Sequence, residues 1–294
     1  MLVTPAAVAQ RFRREIGHEI RSLGHELTIV GFLAGDSGPS RTYADYTRDA
    51  CRELGIGFDL RCVSRLDLEG AVAEANRDPD VHGIMVYYPV FDNEQDHYIK
   101  DLIDHRKDIE GLSSFWLRKL YENERTVERP RAAGKAIVPC TPLAIVKILE
   151  ANGAYGASGS LAAEGKTAAV FGRSEVVGRP LAVMMSNDGA RVYSFDVDDV
   201  LLYEHGRAFE TDVTRAEALR QSDLVITGVP SKSFDRIRFE ELAPHAVCLN
   251  FATIRNFERE AEEKAALFIP RVGPVTVAMC IRNALRLYRT YCED

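Results

Sequence analysis

The chain has 294 residues, 46% of them hydrophobic and 28% charged, and a formal net charge of −7, so it is long enough for two domains and too acidic for a general nucleic-acid surface. No apolar run approaches the ~18 residues that a membrane span needs, and the first residues lack a charged-then-apolar leader, so the expectation is a cytoplasmic protein with no membrane and no nucleic-acid partner. Six dispersed cysteines (Cys51, Cys62, Cys140, Cys248, Cys280, Cys292) and seven histidines form no C-x-x-C or H-E-x-x-H, which points to reduced thiols and no metal site.

Residues 5–24 read as an amphipathic helix, with Val8, Phe12, Ile16 and Ile20 at four-residue spacing. A strand follows at Leu27–Phe32. The loop Gly35-Asp36-Ser37-Gly38-Pro39 ends at Ser40, read as the N-cap of a helix that runs to Leu54 and is stopped by Gly55. The pattern repeats with a strand at Phe58–Val63, a helix from about Leu66 to Asn76 and a strand at Gly83–Tyr87. Such alternation predicts parallel strands covered by helices, an α/β fold. After Pro89 the pattern is less regular, and Asn123 to Lys135 is charged and turn-rich. Pro142 to Asn152 reads as a linking helix. A second α/β unit then occupies Lys166 to about Pro270, with strands at 168–171, 190–195, 224–227 and 247–251. The closing helix, Val275 to Tyr291, carries Val277, Ile281, Leu285 and Tyr288, and the stripe Val277, Ile281, Leu285 reads as core.

In the second unit, the apolar run Ala168–Phe171 enters a turn with Gly172 and Gly178 at its ends and leaves into a helix whose first turn holds Pro180. Glycines there let backbone approach a pyrophosphate at a helix N-terminus. The spacing is Gly-x-x-x-x-x-Gly, not G-x-G-x-x-G, and a two-glycine turn can also serve structure alone. About two dozen residues past Gly172 the next strand ends at Asp196, where a carboxylate can accept from ribose hydroxyls and repel the 2′-phosphate of NADP. A dinucleotide site here therefore favours NAD. The other reading of Asp196, Asp198 and Asp199 is a solvated acidic loop.

Ordered words along nearly the whole chain resemble the methylenetetrahydrofolate dehydrogenase/cyclohydrolase family. They are Ser40-x-x-Tyr43, Gly83-Ile84-Met85-Val86, Lys107-Asp108-Ile109-Glu110-Gly111-Leu112, Pro139-Cys140-Thr141-Pro142, Gly172-Arg173-Ser174 through Pro180, and Gly273 to Met279. The details, including Gly83 to Val90 as GIMVYYPV, look most like the monofunctional NAD-dependent branch known from yeast cytosol. The resemblance implies two α/β domains flanking a folate cleft, the second a Rossmann-type NAD-binding domain. It implies an N-terminal domain over 1–145, completed by the helix 275–294 packing back on it, and a Rossmann domain over 146–274. Family members are commonly dimers, so a homodimer is expected.

Carried onto this sequence, the resemblance places Tyr43 over the folate and gives a pterin-contacting carboxylate to Asp108 or Glu110. Tyr87, Pro89 and Pro274 are further substrate contacts, and Cys140 is either a cleft residue or an inert buried thiol. Gly172, Arg173, Ser174, Val177 and Gly178 are expected at the cofactor, with Asp196, Val197 and Asp198 at its ribose. Gly228, Val229 and Pro230, then Asn250 and Ala252, border its two halves, and Thr276 is expected to meet both ligands. Arg173 could pair with a 2′-phosphate, with the pyrophosphate or inorganic phosphate, or with Asp196.

Two departures from the bifunctional members matter. The family's lysine, four residues after the tyrosine and so on the same helix face, is Thr47 here, and the glutamine of the strand word is Tyr87. That lysine serves hydrolysis of the methenyl cation, for which a threonine can supply neither charge nor base. Hydride removal needs no protein base, because N5 and N10 of the substrate share the resulting cation; orientation is the enzyme's main task. The expected function is NAD-dependent oxidation of 5,10-methylenetetrahydrofolate with cyclohydrolase activity weak or absent. Alternatives are a bifunctional enzyme using another proton carrier, a small-acid dehydrogenase of similar domain order, and a non-catalytic NAD- or folate-binding sensor.

Overall fold

The computed structural model describes residues 2–35, 38–128, 134–156 and 162–292. The expected loop residues Asp36 and Ser37, and 129–133 of the turn-rich stretch, lie outside the described residues. Two compact units emerge: one contains Ala9–Leu120, Glu124–Cys140 and the chain from Pro274 onward, the other Thr141–Gly273 with Tyr121–Asn123 and the residues up to Val8.

In the first of these, α1 (Ala6–Arg21), β1 (Thr28–Ala34), α2 (Gly38–Leu54), β2 (Gly57–Val63), α3 (Leu68–Arg77) and β3 (Gly83–Val86) build a parallel sheet of order β2-β1-β3. β1 is central because all but its first residue are buried; β2, an edge, is half-exposed along most of its length. Helix α2 begins at Gly38, so Ser40 is a buried residue of its first turn and not the N-cap. Val30, Phe32, Leu68, Val72, Ile84 and Val86 form the core on one face of the sheet.

Beyond β3 come α4 (Gln95–Leu102), α5 (Ser114–Tyr121) and the small antiparallel pair β4 (Thr126–Val127) and β5 (Gly134–Lys135). The segment at Lys107 runs parallel to β3, with Ile84 N–H donating to Lys107 O at 2.7 Å. That pairing sets Glu110 beside Val86.

In the second unit, α6 (Cys140–Ala151) leads to β6 (Thr167–Phe171), α7 (Gly178–Asn187), β7 (Arg191–Phe195), β8 (Val200–Glu204), β9 (Arg207–Glu210), α8 (Arg215–Gln221), β10 (Leu224–Thr227), β11 (Val247–Asn250), α9 (Arg259–Lys264) and β12 (Leu267–Ile269). The sheet order is β12-β11-β10-β6-β7-β8-β9, parallel through β7 and antiparallel beyond it. The chain moves from β6 to β7 on one side and later returns to β10 on the other, so the strand order reverses between β6 and β10. Crevices at such reversals, outside the carboxyl ends of the strands, are where open α/β sheets bind ligands. The hairpin β8–β9 extends the expected four strands, and the start of the chain joins this unit through Val3 N–H donating to Phe268 O at 2.9 Å.

Helix α10 (Gly273–Tyr291) belongs from Pro274 onward to the first unit. It starts two residues before the expected Val275, with Pro274 in its first turn. Val277, Ile281 and Leu285 are core residues, as the stripe predicts. No helix among the described residues is long and apolar enough to cross a membrane.

Candidate active site

The first unit, which ends at Cys140 before resuming at Pro274, brings its expected site residues together. Tyr43 and Thr47 lie one turn apart on α2; Tyr87 and Tyr88 follow β3; Asp108 and Glu110 follow the segment paired with β3; Cys140 opens α6. The rings of Tyr43 and Tyr87 meet edge to face at 5.7 Å, and the Tyr43 hydroxyl lies 3.7 Å from Cys280 Sγ on α10. Burial, with the neighbouring thiols and Glu110, raises the Tyr43 pKa well above the usual phenol value. Tyr43 is therefore neutral.

Thr47 is 1% exposed, and its hydroxyl donates to Tyr43 O at 2.9 Å. The proton is thus committed to its own helix. Tyr87 is also buried; its hydroxyl points at Met85 Sδ, 3.7 Å away, and interacts with Thr47. Its ring packs against Gly31, where an added Cβ would come within 3.2 Å of it. Tyr87 thus packs between Gly31 and the edge-to-face contact with Tyr43. Pro89 is exposed just past β3.

The two carboxylates differ. Asp108 is 1% exposed and accepts from the N–H groups of Gly111 at 2.9 Å and Ser113 at 2.8 Å, so it holds the turn together. Glu110 is half-buried and accepts from Val86 N–H at 3.1 Å through a single oxygen. Burial and the nearby Asp108 push the Glu110 carboxyl up to about 8, opposed by the Val86 N–H and the Lys100 ammonium. Glu110 is the carboxylate with an oxygen left to offer a ligand.

Cys140 is 4% exposed, with Sγ donating to Ile109 O at 3.1 Å, and burial raises its pKa well above an ordinary thiol. It is an unreactive thiol. Asn283, which sequence reasoning missed, clamps this region from α10: its Nδ2 donates to Ile109 O at 3.0 Å and Val138 O at 3.2 Å. An asparagine inside the apolar closing helix was the available signal, and the structure buries it fully. Pro274 and Thr276 sit in the first turns of α10, which from Pro274 onward belongs to this unit.

In the second unit the turn after β6 gathers the rest. Gly172 has φ +96°, a conformation that favours glycine, and donates to Phe195 O at 3.0 Å. Its missing Cβ would lie 3.4 Å from Gly228 O, so the carboxyl ends of β6 and β10 meet where the strand order reverses. At Gly178 a Cβ would fall 1.8 Å from Gly172 O. The glycine is required by the turn's own backbone. Ser174 Oγ accepts from the amides of Val177 at 3.2 Å and Gly178 at 3.4 Å. The amides of Ser174, Glu175 and Val176 make no internal hydrogen bond among the described residues. A closely packed glycine turn with unused N–H groups before a helix fits a dinucleotide pyrophosphate.

Asp196, Val197 and Asp198 form the exposed tip between β7 and β8, with Val197 93% exposed. Arg173 does not pair with Asp196. It pairs with Asp199, Nη1 to Oδ1 at 2.7 Å, because the hairpin closes by Asp196 N–H donating to Asp199 O and so turns the Asp199 side chain to Arg173. Gly228, Val229 and Pro230 follow β10, where Asn256, another residue missed from sequence, bonds both N–H and C=O of Val229 at 3.0 Å. Asn250 donates to Ala252 O and Ile254 O at 3.1 Å and accepts from Thr227 at 3.0 Å, so its side chain shapes the loop.

The catalytic domain of tetrahydrofolate dehydrogenase/cyclohydrolase matches residues 3–110, and the NAD(P)-binding domain of the same family matches residues 139–292. The NAD(+) methylenetetrahydrofolate dehydrogenase of Dictyostelium discoideum is 41% identical over 300 residues, covering 99% of this chain and 95% of that one. Its counterpart from Saccharomyces cerevisiae is 39% identical over 310 residues, covering 98% and 95%. The solved structure of the NAD-dependent 5,10-methylenetetrahydrofolate dehydrogenase from Saccharomyces cerevisiae superposes with a TM-score of 0.91 at 38% identity, covering 98% of this chain and 96% of that one. Matched in both domains and along nearly its whole length, the chain belongs to the tetrahydrofolate dehydrogenase/cyclohydrolase family.

Proposed function

We propose that this protein oxidises 5,10-methylenetetrahydrofolate to 5,10-methenyltetrahydrofolate with NAD in one-carbon folate metabolism, and releases the product without hydrolysing it. The dehydrogenase assignment follows from the near full-length likeness to NAD(+) methylenetetrahydrofolate dehydrogenases. The observation that carries the loss of hydrolysis is Thr47. At the position one turn past Tyr43 it is buried, and its one proton is already given to Tyr43 O.

NAD, when bound, accepts the hydride. The amides of Ser174, Glu175 and Val176 and the turn from Gly172 to Gly178 would hold its pyrophosphate. Asp196 would accept from the adenosine ribose, with Val197 and Asp198 beside it, and Gly228 to Pro230 and Asn250 to Ala252 would line the rest. On the folate side, Glu110 accepts the pterin's N–H donors, Tyr43 covers the ring and is braced by Tyr87, and Pro89, Cys140 and Pro274 border it. Asp108 positions Glu110 by holding the turn that follows. A neutral Thr47 leaves no cation to oppose the positive charge that forms as hydride departs.

The protein is further proposed to be cytoplasmic and a homodimer. The dimer reading is supported by β9, an uncovered sheet edge whose four residues are all exposed, Phe209 among them. Nucleotide reduction measured with 5,10-methylenetetrahydrofolate and either NAD or NADP tests the reaction: NAD should be strongly preferred. Equal rates with both would overturn the cofactor assignment, and no reduction with either would leave the sensor reading.

A further inference from the structure

Arg173 is the one cation carried by the glycine turn between Gly172 and Gly178, and a guanidinium near the ribose is the usual means of accommodating a 2′-phosphate. Its presence in a chain assigned to NAD needs a physical explanation. The side chain is only 11% exposed and is held at three points: Nε donates to Ser194 Oγ at 3.2 Å, Nη2 to Ser194 O at 2.5 Å and Nη1 to Asp199 Oδ1 at 2.7 Å. Two of those contacts come from β7, which would position the guanidinium equally well for either cofactor. The third contact brings a negative charge. Asp196 and Asp198 are nearer the tip and make no ion pair with Arg173.

We infer that Asp199 is a specificity-determining residue that acts through Arg173, holding and neutralising the guanidinium that would otherwise receive a 2′-phosphate. The inference rests on the NAD assignment above and adds its cause. It separates two effects that the acidic run would otherwise merge: Asp196 and Asp198 repel the phosphate directly, from exposed positions, whereas Asp199 removes its partner. Because Asp199 is itself 53% exposed, the lock can be opened without disturbing the core.

The test is binding of ADP and 2′,5′-ADP to the full chain by calorimetry, which reads the phosphate preference without turnover. Wild type should favour ADP. Asp199→Asn should improve the relative affinity for 2′,5′-ADP by about five- to tenfold, the scale expected when a cation is freed from a half-exposed carboxylate for a charge-assisted bond. Asp199→Glu, which restores the charge, should return toward the wild-type ratio. In the double variant Asp199→Asn with Arg173→Met the gain should vanish, since nothing is left to release. A gain that persists in the double variant would show that Asp199 acts directly and would overturn the inference, as would an unchanged ratio in Asp199→Asn with the melting curve intact. If Asp199→Asn does not fold, Asp199→Ala and Asp199→Ser take its place with the same expected ratio. Wild type that binds both ligands equally would instead remove the NAD assignment, and the inference with it.

Discussion

The two candidate sites are built from opposite materials. On the nucleotide side the turn is mainly backbone, with Gly172 at positive φ and Gly178 packed where even a methyl group would meet Gly172 O, while its charges (Asp196, Asp198, Asp199) stand on an exposed hairpin. On the folate side the work falls mainly to side chains that are buried and already bonded to their surroundings: Thr47 to the Tyr43 carbonyl, Tyr87 to Thr47 and Met85, Asp108 to its own turn. Nucleotide preference is therefore open to change by surface substitutions, whereas changes on the folate side alter packing and chemistry together.

The sharpest way to break this contrast is at Gly178. A Cβ 1.8 Å from Gly172 O cannot be absorbed by a flexible side chain, so Gly178→Val should lower Tm by on the order of 10 °C or prevent folding, a larger effect than loss of cofactor binding alone. A calorimetric melt decides it, and an unchanged Tm would show that the turn is looser than described.

Next is Glu110→Gln. Losing a charge-assisted acceptor should reduce kcat/KM for the folate by about 10–100-fold at pH 9, where Glu110 is ionised. The pH dependence gives a second readout. With its carboxyl raised to about 8, Glu110 gains its charge as pH climbs from 7 to 9, so folate affinity should improve over that window and the improvement should be missing in the glutamine variant. Tyr43, Tyr87, Tyr88, Asp108, Lys100 and Cys140 share that environment electrostatically. A wild-type profile that falls over this range would exclude the carboxylate as acceptor.

Thr47→Lys should bury an ammonium at a position 1% exposed, destabilising the protein by about 3 kcal/mol in urea unfolding and giving no hydrolysis. Recovery of methenyl hydrolysis in that variant would show that the site still holds the lysine's partners. The smallest effect belongs to the hairpin tip: Asp196→Asn with Asp198→Asn should narrow the preference for NAD by about two- to fivefold, because exposed charges are screened. Competition binding with the two nucleotides measures it, and a change of a hundredfold would mean the tip closes over the ligand.

The same contrast explains what could be read from the amino acids. The parallel units were legible because β1, β3, β6, β10 and β11 are apolar runs between helical periods, and α10 because Val277, Ile281 and Leu285 keep one face. The hairpin β8–β9 was hidden: its turn is His205-Gly206, both at positive φ, in place of the familiar Asn-Gly signal, and its edge strand is wholly exposed. α4 and α5, eight residues each, are too short for periodicity to show. In the sites, glycine and motif residues could be named, but the division of labour could not. Choosing between Asp108 and Glu110 requires knowing which carboxylate the Gly111 and Ser113 amides use, and choosing the partner of Arg173 among three aspartates requires the hairpin.

The central claim, oxidation without hydrolysis, is tested most directly by following the nucleotide and the methenyl product together. Full-length protein is given 5,10-methylenetetrahydrofolate and NAD in buffer where spontaneous hydrolysis is slow, and reduced nucleotide and methenyl absorbance are recorded in one progress curve. The expected result is one methenyl formed per nucleotide reduced, with the methenyl signal afterwards decaying at the enzyme-free rate whatever the protein concentration. Decay that accelerates in proportion to enzyme would contradict it, and would mean that a proton carrier other than the absent lysine serves this site.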